Sequence, residues 1–263
     1  MTRVLLTGSS GFIGSRLAAQ LLQMGYVTIL FDKAMASGEL SDAIQKSPET
    51  VFHLAAETRL DYSIVNPLET FKDNLALTVE LLDLCRRYAP QCHVIFTSTA
   101  AGTATPYGLT KKQCEEWIAF YRKFYDLRIT IARLQNVYGE GNRKGVIHKF
   151  IELTLNDQPL PVIGDGSQKR DFIHVSDVVK GLITAATRPD FHEATIGTGE
   201  LHSVLDVVSI LQSILGKKLT IMYQPARDWE IHTPIIYPPL TPDCLSLEKG
   251  LKRVVDWTRS EAA

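Results

Sequence analysis

Three glycines near the start of the chain, Gly8, Gly11 and Gly14, constrain its fold more than any other feature. They follow a short apolar run that reads as a strand, Val4–Thr7, and they open a segment of helical period, Gly14–Met24. In such a strand–turn–helix, the first glycine permits a tight turn, the second lets backbone approach a pyrophosphate, and the third lets helix and strand pack closely. The helix start also offers free N–H groups and a favourable dipole to an anion. This context predicts a dinucleotide-binding loop.

An acidic residue, Asp32, follows the second predicted strand, Val27–Phe31. An acid about 20 residues beyond the glycines can bind both hydroxyls of an adenosine ribose and repel a 2′-phosphate. The pattern therefore favours NAD over NADP as the cofactor. Lys33 leaves NADP open, because a cation at this point tolerates the phosphate.

A tyrosine and a lysine, Tyr107 and Lys111, form a Y-x-x-x-K pattern at the start of a predicted helix, Tyr107–Tyr125. Residues spaced by four lie on one helix face. A phenol has a pKa of about 10, but a nearby ammonium and the charge of oxidised nicotinamide favour the phenolate. The tyrosine can then exchange a proton with a substrate hydroxyl while the cofactor takes a hydride. The preceding segment, Thr97–Thr99, supplies hydroxyls for the reacting oxygen.

Strand-length apolar runs alternate with helix-period segments over the first half of the chain. The predicted strands are residues 4–7, 27–31, 50–54, 93–98 and 128–133, and the predicted helices are residues 14–24, 41–45, 67–88 and 107–125. This order predicts an α/β fold with a doubly wound, Rossmann-type parallel sheet.

After Tyr138 the chain becomes rich in glycine and proline, which predicts a smaller C-terminal substrate-binding lobe. Helices are predicted at residues 146–156, 175–187 and 204–215, and residues 223–243 read as mostly loop. The predicted NAD-binding domain comprises residues 1–139 plus about 172–198, and the lobe comprises residues 140–171 plus about 199–263.

Composition narrows the class of protein. A net charge of −1 gives no sign of a nucleic-acid partner, and no apolar run approaches the ~20 residues of a membrane span. The four cysteines and seven histidines show no metal-ligand or disulfide spacing, so we expect reduced thiols and no metal. The chain starts at once with a strand, which leaves no room for a signal peptide. We therefore expect a cytoplasmic protein.

Five features together resemble the extended short-chain dehydrogenase/reductase family. They are the glycine loop, Asp32, the strand end His53–Ala56, the Thr97–Thr99 segment and the Y-x-x-x-K pair. More narrowly, the chain is similar to the NAD-dependent nucleotide-sugar epimerase/dehydratase group and is UDP-glucose 4-epimerase-like. Later segments agree with the same group: Asn136–Gly139, Gly164–Ser167 and Arg170–Val175. The similarity covers nearly the whole chain.

The resemblance implies a role for each matching position. Thr99 matches the catalytic Ser/Thr, Tyr107 the base, and Lys111 its partner, which also holds the nicotinamide ribose. The implied cofactor contacts are Gly8, Gly11, Phe12, Ile13, Gly14, Asp32, Lys33, Glu39, Leu40, Leu54, Ala55, Ala56, Asn74, Thr97, Ser98, Tyr107 and Lys111. The implied substrate contacts are Asn136, Val146, Val162, Arg170, Arg227 and Asp228.

Within the substrate set, Asn136 and Arg170 match groups that hold the substrate diphosphate, for which an arginine offers a planar fork of charged donors. A plain salt bridge between Arg170 and its neighbour Asp171 is the alternative. Val162 is expected near the nucleotide base, and Arg227-Asp228 resembles a contracted form of the distal Arg…Asp contact.

The chain also departs from the family pattern. Only six residues separate Asp32 from Glu39, so a strand and helix usual in the family are expected to be reduced or lost. Only seven residues separate Thr99 from Tyr107, where relatives carry a longer loop over the sugar, and Gln135 replaces a usual aromatic. Alanines follow Thr99 in place of the Asp-Glu pair of sugar 4,6-dehydratases, which argues against dehydration.

Three functions follow from these patterns. The first is an epimerase that acts on a nucleotide-diphosphate sugar through a transient keto intermediate, most often at C4, with NAD as the internal hydride carrier. The second is a net NAD(P)-dependent reductase or dehydrogenase of a nucleotide- or keto-sugar. The third is a non-catalytic NAD-binding scaffold on the same fold. In the family the two long helices at residues 67–88 and 107–125 often pair across a two-fold axis, so a homodimer is expected.

Overall fold

The chain divides into two compact units. The computed structural model describes residues 2–32, 37–100, 102–188, 190–226, 238–241 and 243–262. The first unit comprises Met1–Leu134 with Val179–Thr195, and the second comprises Gln135–Val178 with Ile196–Ala263. The sequence pattern predicts boundaries at 139, about 172 and about 198, whereas the two units divide after residues 134, 178 and 195.

Strands and helices alternate along the chain. In order they are β1 (Arg3–Thr7), α1 (Phe12–Gln23), β2 (Val27–Phe31), α2 (Ser37–Gln45), β3 (Thr50–His53), α3 (Leu60–Val65), α4 (Pro67–Phe71), a π-helical turn (Lys72–Ala76), α5 (Leu77–Tyr88), β4 (His93–Thr99), α6 (Pro106–Tyr125) and β5 (Arg128–Leu134). The remainder are β6 (Asn136–Tyr138), α7 (Gly145–Leu155), β7 (Leu160–Ile163), β8 (Lys169–Arg170), β9 (Phe172–His174), α8 (Val175–Ala186), β10 (Glu193–Ile196), β11 (His202–Ser203), α9 (Val204–Leu215), β12 (Ile221–Gln224) and α10 (Leu247–Ala262).

A six-stranded sheet forms the centre of the first unit, with the strand order β10-β5-β4-β3-β1-β2. The pairs β1–β2, β1–β3, β3–β4 and β4–β5 are all parallel. Every residue of β4 from His93 to Ser98 is buried, as expected for a strand covered on both faces. The predicted doubly wound parallel sheet is therefore confirmed.

One side of this sheet is shorter than the family pattern. Between β2 and β3 the described residues contain a single helix, α2, and β2 is the outermost strand of the sheet. This agrees with the expectation that a strand and helix after Asp32 are reduced or lost. Two buried residues of α2, Leu40 and Ile44, belong to the core of the first unit.

The helix predicted over residues 67–88 is more complex than the apolar period indicates. A short helix, α3, precedes it, Pro67 stands at the first turn of α4, and the π-helical turn joins α4 to α5. The turn buries both Asn74 and Leu75. Single π turns are rare in helices and are concentrated at functional sites. A period-based reading cannot detect such an insertion, because it shifts the helix face by one residue.

The second unit has a core of its own, to which α7, α9 and α10 contribute. The start of α9 is a capping box in which Ser203 and Asp206 bind each other's backbone N–H, and its end is Gly216 with a φ of 64°. The sequence analysis did not predict α10, which follows the proline-rich stretch. Within the part of the chain that the structure describes, no helix could cross a membrane, and no group of three His, Cys, Asp or Glu residues could hold a metal ion.

Candidate active site

The glycine loop is a tight turn that only glycine accommodates. Gly8 has a φ of 71°, and a Cβ at this residue would lie 2.8 Å from the Ala55 nitrogen. A Cβ on Gly14 would overlap the carbonyl oxygen of Gly8, so α1 starts directly against the turn. The Gly8 N–H also donates to the Phe31 carbonyl (2.9 Å), which joins the turn to the end of β2. These contacts agree with the roles that the motif predicts for its first and third glycines.

Asp32 lies beside the same turn. Its carboxylate accepts the Ser10 N–H at 2.6 Å and the Ser9 hydroxyl at 3.2 Å. A carboxylate next to a glycine turn at a helix start is the arrangement that binds the adenosine ribose of a dinucleotide, so these residues fit NAD. Phe12 and Ile13 are half-buried at the start of α1. Lys33 lies outside the described residues.

The start of α6 is held by the short loop that follows β4. The Thr105 hydroxyl caps the helix by accepting the Gly108 N–H at 3.4 Å. A Cβ on Gly108 would overlap the carbonyl oxygen of Gly102, so the loop packs tightly on the first helical turn. The contracted segment between Thr99 and Tyr107 is thus a compact support for the tyrosine.

The three predicted catalytic residues come together at the carboxyl end of β4. The Lys111 ammonium, only 3% exposed as a residue, donates to the Thr97 carbonyl at 2.8 Å and lies 4.7 Å from the centre of the Phe96 ring. Burial lowers the pKa of Lys111 to about 8. Burial raises the pKa of Tyr107, and a side-chain hydrogen bond with Thr99 opposes that rise. One helix face therefore presents a phenol next to a hydroxyl and an ammonium next to a strand end.

The backbone after β3 is fixed from two sides. The Asn74 amide accepts the Glu57 N–H at 2.7 Å, donates to the Glu57 carbonyl at 3.1 Å and donates to the Thr110 hydroxyl at 3.1 Å. Thr7 contributes from β1, because its hydroxyl accepts the Ala55 N–H at 3.2 Å. Asn74 therefore ties the segment after β3 to α6, while Leu54, Ala55 and Ala56 are only half-buried.

His53 has a structural role at the end of β3. Its two ring nitrogens lie 2.8 Å from the Thr7 hydroxyl and 2.9 Å from the Thr78 hydroxyl. Burial, together with the charge of Lys111, lowers the pKa of His53 to about 3. The ring is therefore neutral at physiological pH, and this agrees with an orienting role.

The remaining predicted cofactor contacts of the first unit include both exposed and buried residues. Glu39 is exposed on α2, whereas the Leu40 side chain is in the core. The Thr97 hydroxyl donates to the His53 carbonyl at 3.0 Å. The Ser98 hydroxyl donates to the Glu115 carboxylate at 2.6 Å, so its hydrogen is directed to α6.

The predicted substrate residues of the second unit differ widely in exposure. Asn136 is exposed, and its backbone N–H donates to the Asp171 carbonyl at 2.9 Å. Val146 is half-buried, whereas Val162 is fully buried in the core of the unit and has no exposed side-chain surface. Arg170 is half-buried and donates to the Lys169 carbonyl at 2.8 Å. Arg227 and Asp228 lie outside the described residues.

The carboxylate of Asp171 is engaged with a turn of the second unit. It accepts the Thr198 N–H (2.9 Å) and hydroxyl (2.6 Å) and the Gly199 N–H (2.9 Å). Gly197 is also required there, because a Cβ would lie 2.5 Å from an Asp171 carboxylate oxygen. Asp171 therefore orders the turn after β10 from the segment that carries Arg170.

Sequence reasoning missed two charged residues beside the catalytic groups, Glu115 and Arg133. Arg133 Nε and Nη2 bind the two Glu115 oxygens at 2.9 and 2.8 Å. A signal was available, because Glu115 lies four residues after Lys111 and eight after Tyr107, on the same helix face.

Comparisons with known proteins identify the family of the chain. The family model of the NAD dependent epimerase/dehydratase family matches residues 4–197. A UDP-glucose 4-epimerase of Thermotoga maritima, solved with UDP-glucose, superposes with a TM-score of 0.90 at 26% identity and 100% coverage of both chains. A UDP-glucuronic acid 4-epimerase of Bacillus cereus, solved with UDP-glucuronic acid and NAD, gives a TM-score of 0.89 at 25% identity, with 99% of this chain and 100% of that one covered.

A curated relative has a different named activity. The UDP-N-acetyl-alpha-D-glucosaminuronate decarboxylase of Bacillus cytotoxicus is 28% identical, with 98% of each chain covered. That alignment extends over 313 positions for a chain of 263 residues, so the relative carries segments that this chain lacks. The match of the family model to residues 4–197, which is most of the chain, shows that this protein belongs to the NAD dependent epimerase/dehydratase family.

Proposed function

We propose that this protein is an NAD-dependent epimerase of a nucleotide-diphosphate sugar. The carbon that it inverts through a transient keto sugar is, in this proposal, C4. The observation that carries the proposal is the meeting of Thr99, Tyr107 and Lys111 at the end of β4, in the unit that also holds the glycine loop. Packing alone does not require these three residue types together. The epimerase names of two solved relatives support the same reaction.

In this proposal Tyr107 moves the proton. Its phenol takes the proton of the sugar hydroxyl, and the Thr99 hydroxyl bonds the same oxygen as its charge develops. Since burial raises the pKa of Tyr107, the phenol needs positive charge nearby to ionise near neutral pH. Lys111 contributes that charge, because a pKa of about 8 leaves the ammonium mostly protonated at pH 7.

NAD, when bound, would supply the redox chemistry, namely removal of a hydride from the sugar carbon and its return to the other face. The glycine turn and the start of α1 would hold its pyrophosphate, and Asp32 its adenosine ribose. Lys111 would hold the nicotinamide ribose. Because hydride is returned, no second redox substrate is required.

The second unit would bind the nucleotide diphosphate. Asn136 and Arg170 are the proposed diphosphate ligands, and the guanidinium of Arg170 suits phosphate oxygens through paired donors. Both side chains have exposed surface for this role. Alanine at position 100, next to Thr99, leaves no acid–base pair at this point for elimination of water, which favours epimerisation over dehydration.

Product analysis tests the proposal. A panel of UDP-, dTDP-, CDP- and GDP-sugars is incubated with the protein and catalytic NAD, and NMR identifies the products. We expect inversion at one carbon without net change in NADH absorbance. Sustained gain or loss of NADH would instead establish the reductase or dehydrogenase, and loss of a carboxylate carbon would establish a decarboxylase. The absence of turnover across the panel, with NAD still bound, would favour the scaffold.

We also propose a homodimer formed through α5 and α6. Four large side chains on the outer face of α6 remain substantially exposed: Trp117, Phe120, Phe124 and Tyr125. Their rings contact one another, so the exposed apolar surface is continuous, and a patch of this kind marks an interaction site. Light scattering should give a dimer for the parent and a monomer for Phe124→Glu. A monomeric parent at micromolar concentration would reject the proposal.

A further inference from the structure

A buried polar cluster beside the catalytic groups has no part in the proton transfer proposed above. It consists of Ser98, Glu115 and Arg133 and is called the Ser98–Glu115–Arg133 cluster. Glu115, 8% exposed, accepts the Ser98 hydroxyl at 2.6 Å and a paired ion contact from Arg133 at 2.9 and 2.8 Å. A carboxylate bound on both oxygens by a guanidinium is among the strongest polar contacts in proteins.

The cluster joins three elements of the first unit. Ser98 is on β4, Arg133 is its register partner on β5, and Glu115 is on α6. Burial opposes ionisation of Glu115, but hydrogen bonds from Arg133 and Ser98 and the charge of Arg133 hold its pKa below the usual value. The carboxylate is therefore charged at neutral pH. These contacts, together with the Lys112 ammonium 3.5 Å from a Glu115 oxygen, offset the cost of burying it. The cluster therefore holds β4, β5 and α6 together at the point where Ser98 contacts α6.

The Ser98–Glu115–Arg133 cluster lies on the face of α6 that carries Tyr107 and Lys111. Tyr107, Lys111 and Glu115 are spaced by four residues, so they form one stripe along α6. Each bonds a different residue at the end of β4: Tyr107 bonds Thr99, Lys111 bonds the carbonyl of Thr97, and Glu115 bonds Ser98. Removing the Glu115 contact leaves the middle residue of that strand end without its link to the helix.

We propose that Glu115 is a positioning residue for the reaction: by holding Ser98, it keeps the Thr99 hydroxyl in bonding distance of the Tyr107 phenol. The inference rests on the proposed role of Tyr107. Displacement of a catalytic group by about 1 Å can cost a hundredfold in rate, so a link one residue away from Thr99 is close enough to control turnover. Arg133 anchors Glu115 from the neighbouring strand.

Two variants test the proposal, Ser98→Ala and Glu115→Gln. We expect each variant to lower kcat about tenfold or more, because Ser98→Ala removes the contact that holds Ser98 and Glu115→Gln weakens it, with the KM for the sugar nucleotide unchanged. The double variant should cost no more than the larger of the two single effects, because both act through one contact. Glu193→Gln is the matched control: it removes an outer carboxylate, 54% exposed, from the same Arg133 and should keep parental kcat.

A spectroscopic readout separates positioning from simple stabilisation. In protein with Cζ-labelled tyrosine and bound NAD, carbon-13 NMR titration reports the pKa of Tyr107, assigned by its absence in Tyr107→Phe. Because the Thr99 hydrogen bond lowers the pKa of Tyr107, loosening Thr99 should raise it in both variants. Ser98→Ala deletes one oxygen and remains informative if Glu115→Gln does not fold.

The outcomes are distinct. A lower melting temperature with an unchanged Tyr107 pKa and unchanged kcat would overturn the proposal in favour of a purely structural cluster. If the parent converts no sugar nucleotide in the panel, the proposed function fails, but the Tyr107 titration still decides whether the cluster positions Thr99. A raised Tyr107 pKa in both variants, and not in Glu193→Gln, supports it.

Discussion

The two units of the chain hold their predicted site residues in different ways. In the first unit, the side chains at the strand ends are held by named contacts: Asp32 binds the glycine turn, Lys111 binds Thr97, and Asn74 binds the segment after β3. In the second unit, one expected substrate residue, Asn136, is on the surface, and another is buried in the core. The comparison teaches that the predicted cofactor and proton-transfer residues of the first unit are held by hydrogen bonds to the backbone, whereas the predicted substrate residues of the second unit range from exposed to fully buried.

The largest effect should come from Tyr107→Phe, which tests whether the first unit performs the chemistry. Removal of the phenol should lower turnover about 10³-fold, because general acid–base groups contribute 10²- to 10⁴-fold. NAD affinity, measured by calorimetry, should stay near the parental value. Tyr121→Phe, a buried tyrosine on the same helix, is the control. Parental turnover by Tyr107→Phe would remove the tyrosine from the mechanism.

Gly14→Ala tests whether the backbone of the first unit is as constrained as the comparison requires. The new Cβ would overlap the Gly8 carbonyl, so α1 must move away from the turn, and NAD affinity should fall about a hundredfold. Gly38→Ala is the matched control, because the space around Gly38 is open and the substitution should stabilise α2 by about 0.5–1 kcal/mol. Equal NAD affinity in the two variants would contradict the tight-turn argument.

Because His53 is neutral in the folded protein, we expect the first unit to lose stability in acid. The pKa of His53 is lowered to about 3 by burial and by the charge of Lys111, from an ordinary value of 6.5. At pH values between the two pKa values, His53 is protonated in the unfolded chain but neutral in the folded chain. The free energy of unfolding therefore falls as the pH drops below 6.5. Between pH 7 and pH 5 the loss should be about 2 kcal/mol, or about thirtyfold in the folding constant.

Chemical denaturation at both pH values measures this loss. In His53→Gln the difference between the two pH values should shrink by that amount. The exposed His192 offers a control, since His192→Gln should keep the parental difference. An unchanged pH dependence in His53→Gln would assign the acid sensitivity to other groups.

The smallest effect should come from Arg170→Gln, which tests the second unit. Loss of a charged contact to a diphosphate should raise the KM for the sugar nucleotide about tenfold, with NAD affinity and kcat little changed. Lys169→Gln removes an adjacent exposed cation from β8 and should have less than a threefold effect, as expected for a charge without paired contacts. Equal effects from the two substitutions would show general charge attraction rather than a ligand.

Much of the first unit was predictable because its signals are local. The glycine spacing, the alternation of apolar runs and the four-residue interval from Tyr107 to Lys111 each depend on neighbouring residues along one element. The π-helical turn and α3 were not predictable in this way, because one extra residue shifts the apolar face only once and α3 is too short to show a clear apolar period. In the second unit, α10 was missed since a proline-rich stretch precedes it and dominates the local composition.

The sequence by itself determined the tight glycine turn, the parallel sheet and the helix that carries both Tyr107 and Lys111, because glycine geometry and helical periodicity are properties of the chain at short range. Only the tertiary structure decided the partners of the buried polar groups. The contact of Glu115 with Ser98 and Arg133, and that of Asp171 with the turn at Thr198, join residues at least 17 positions apart. Burial makes such contacts obligatory, since an unpaired buried charge is costly, but which partner satisfies it depends on how the elements pack.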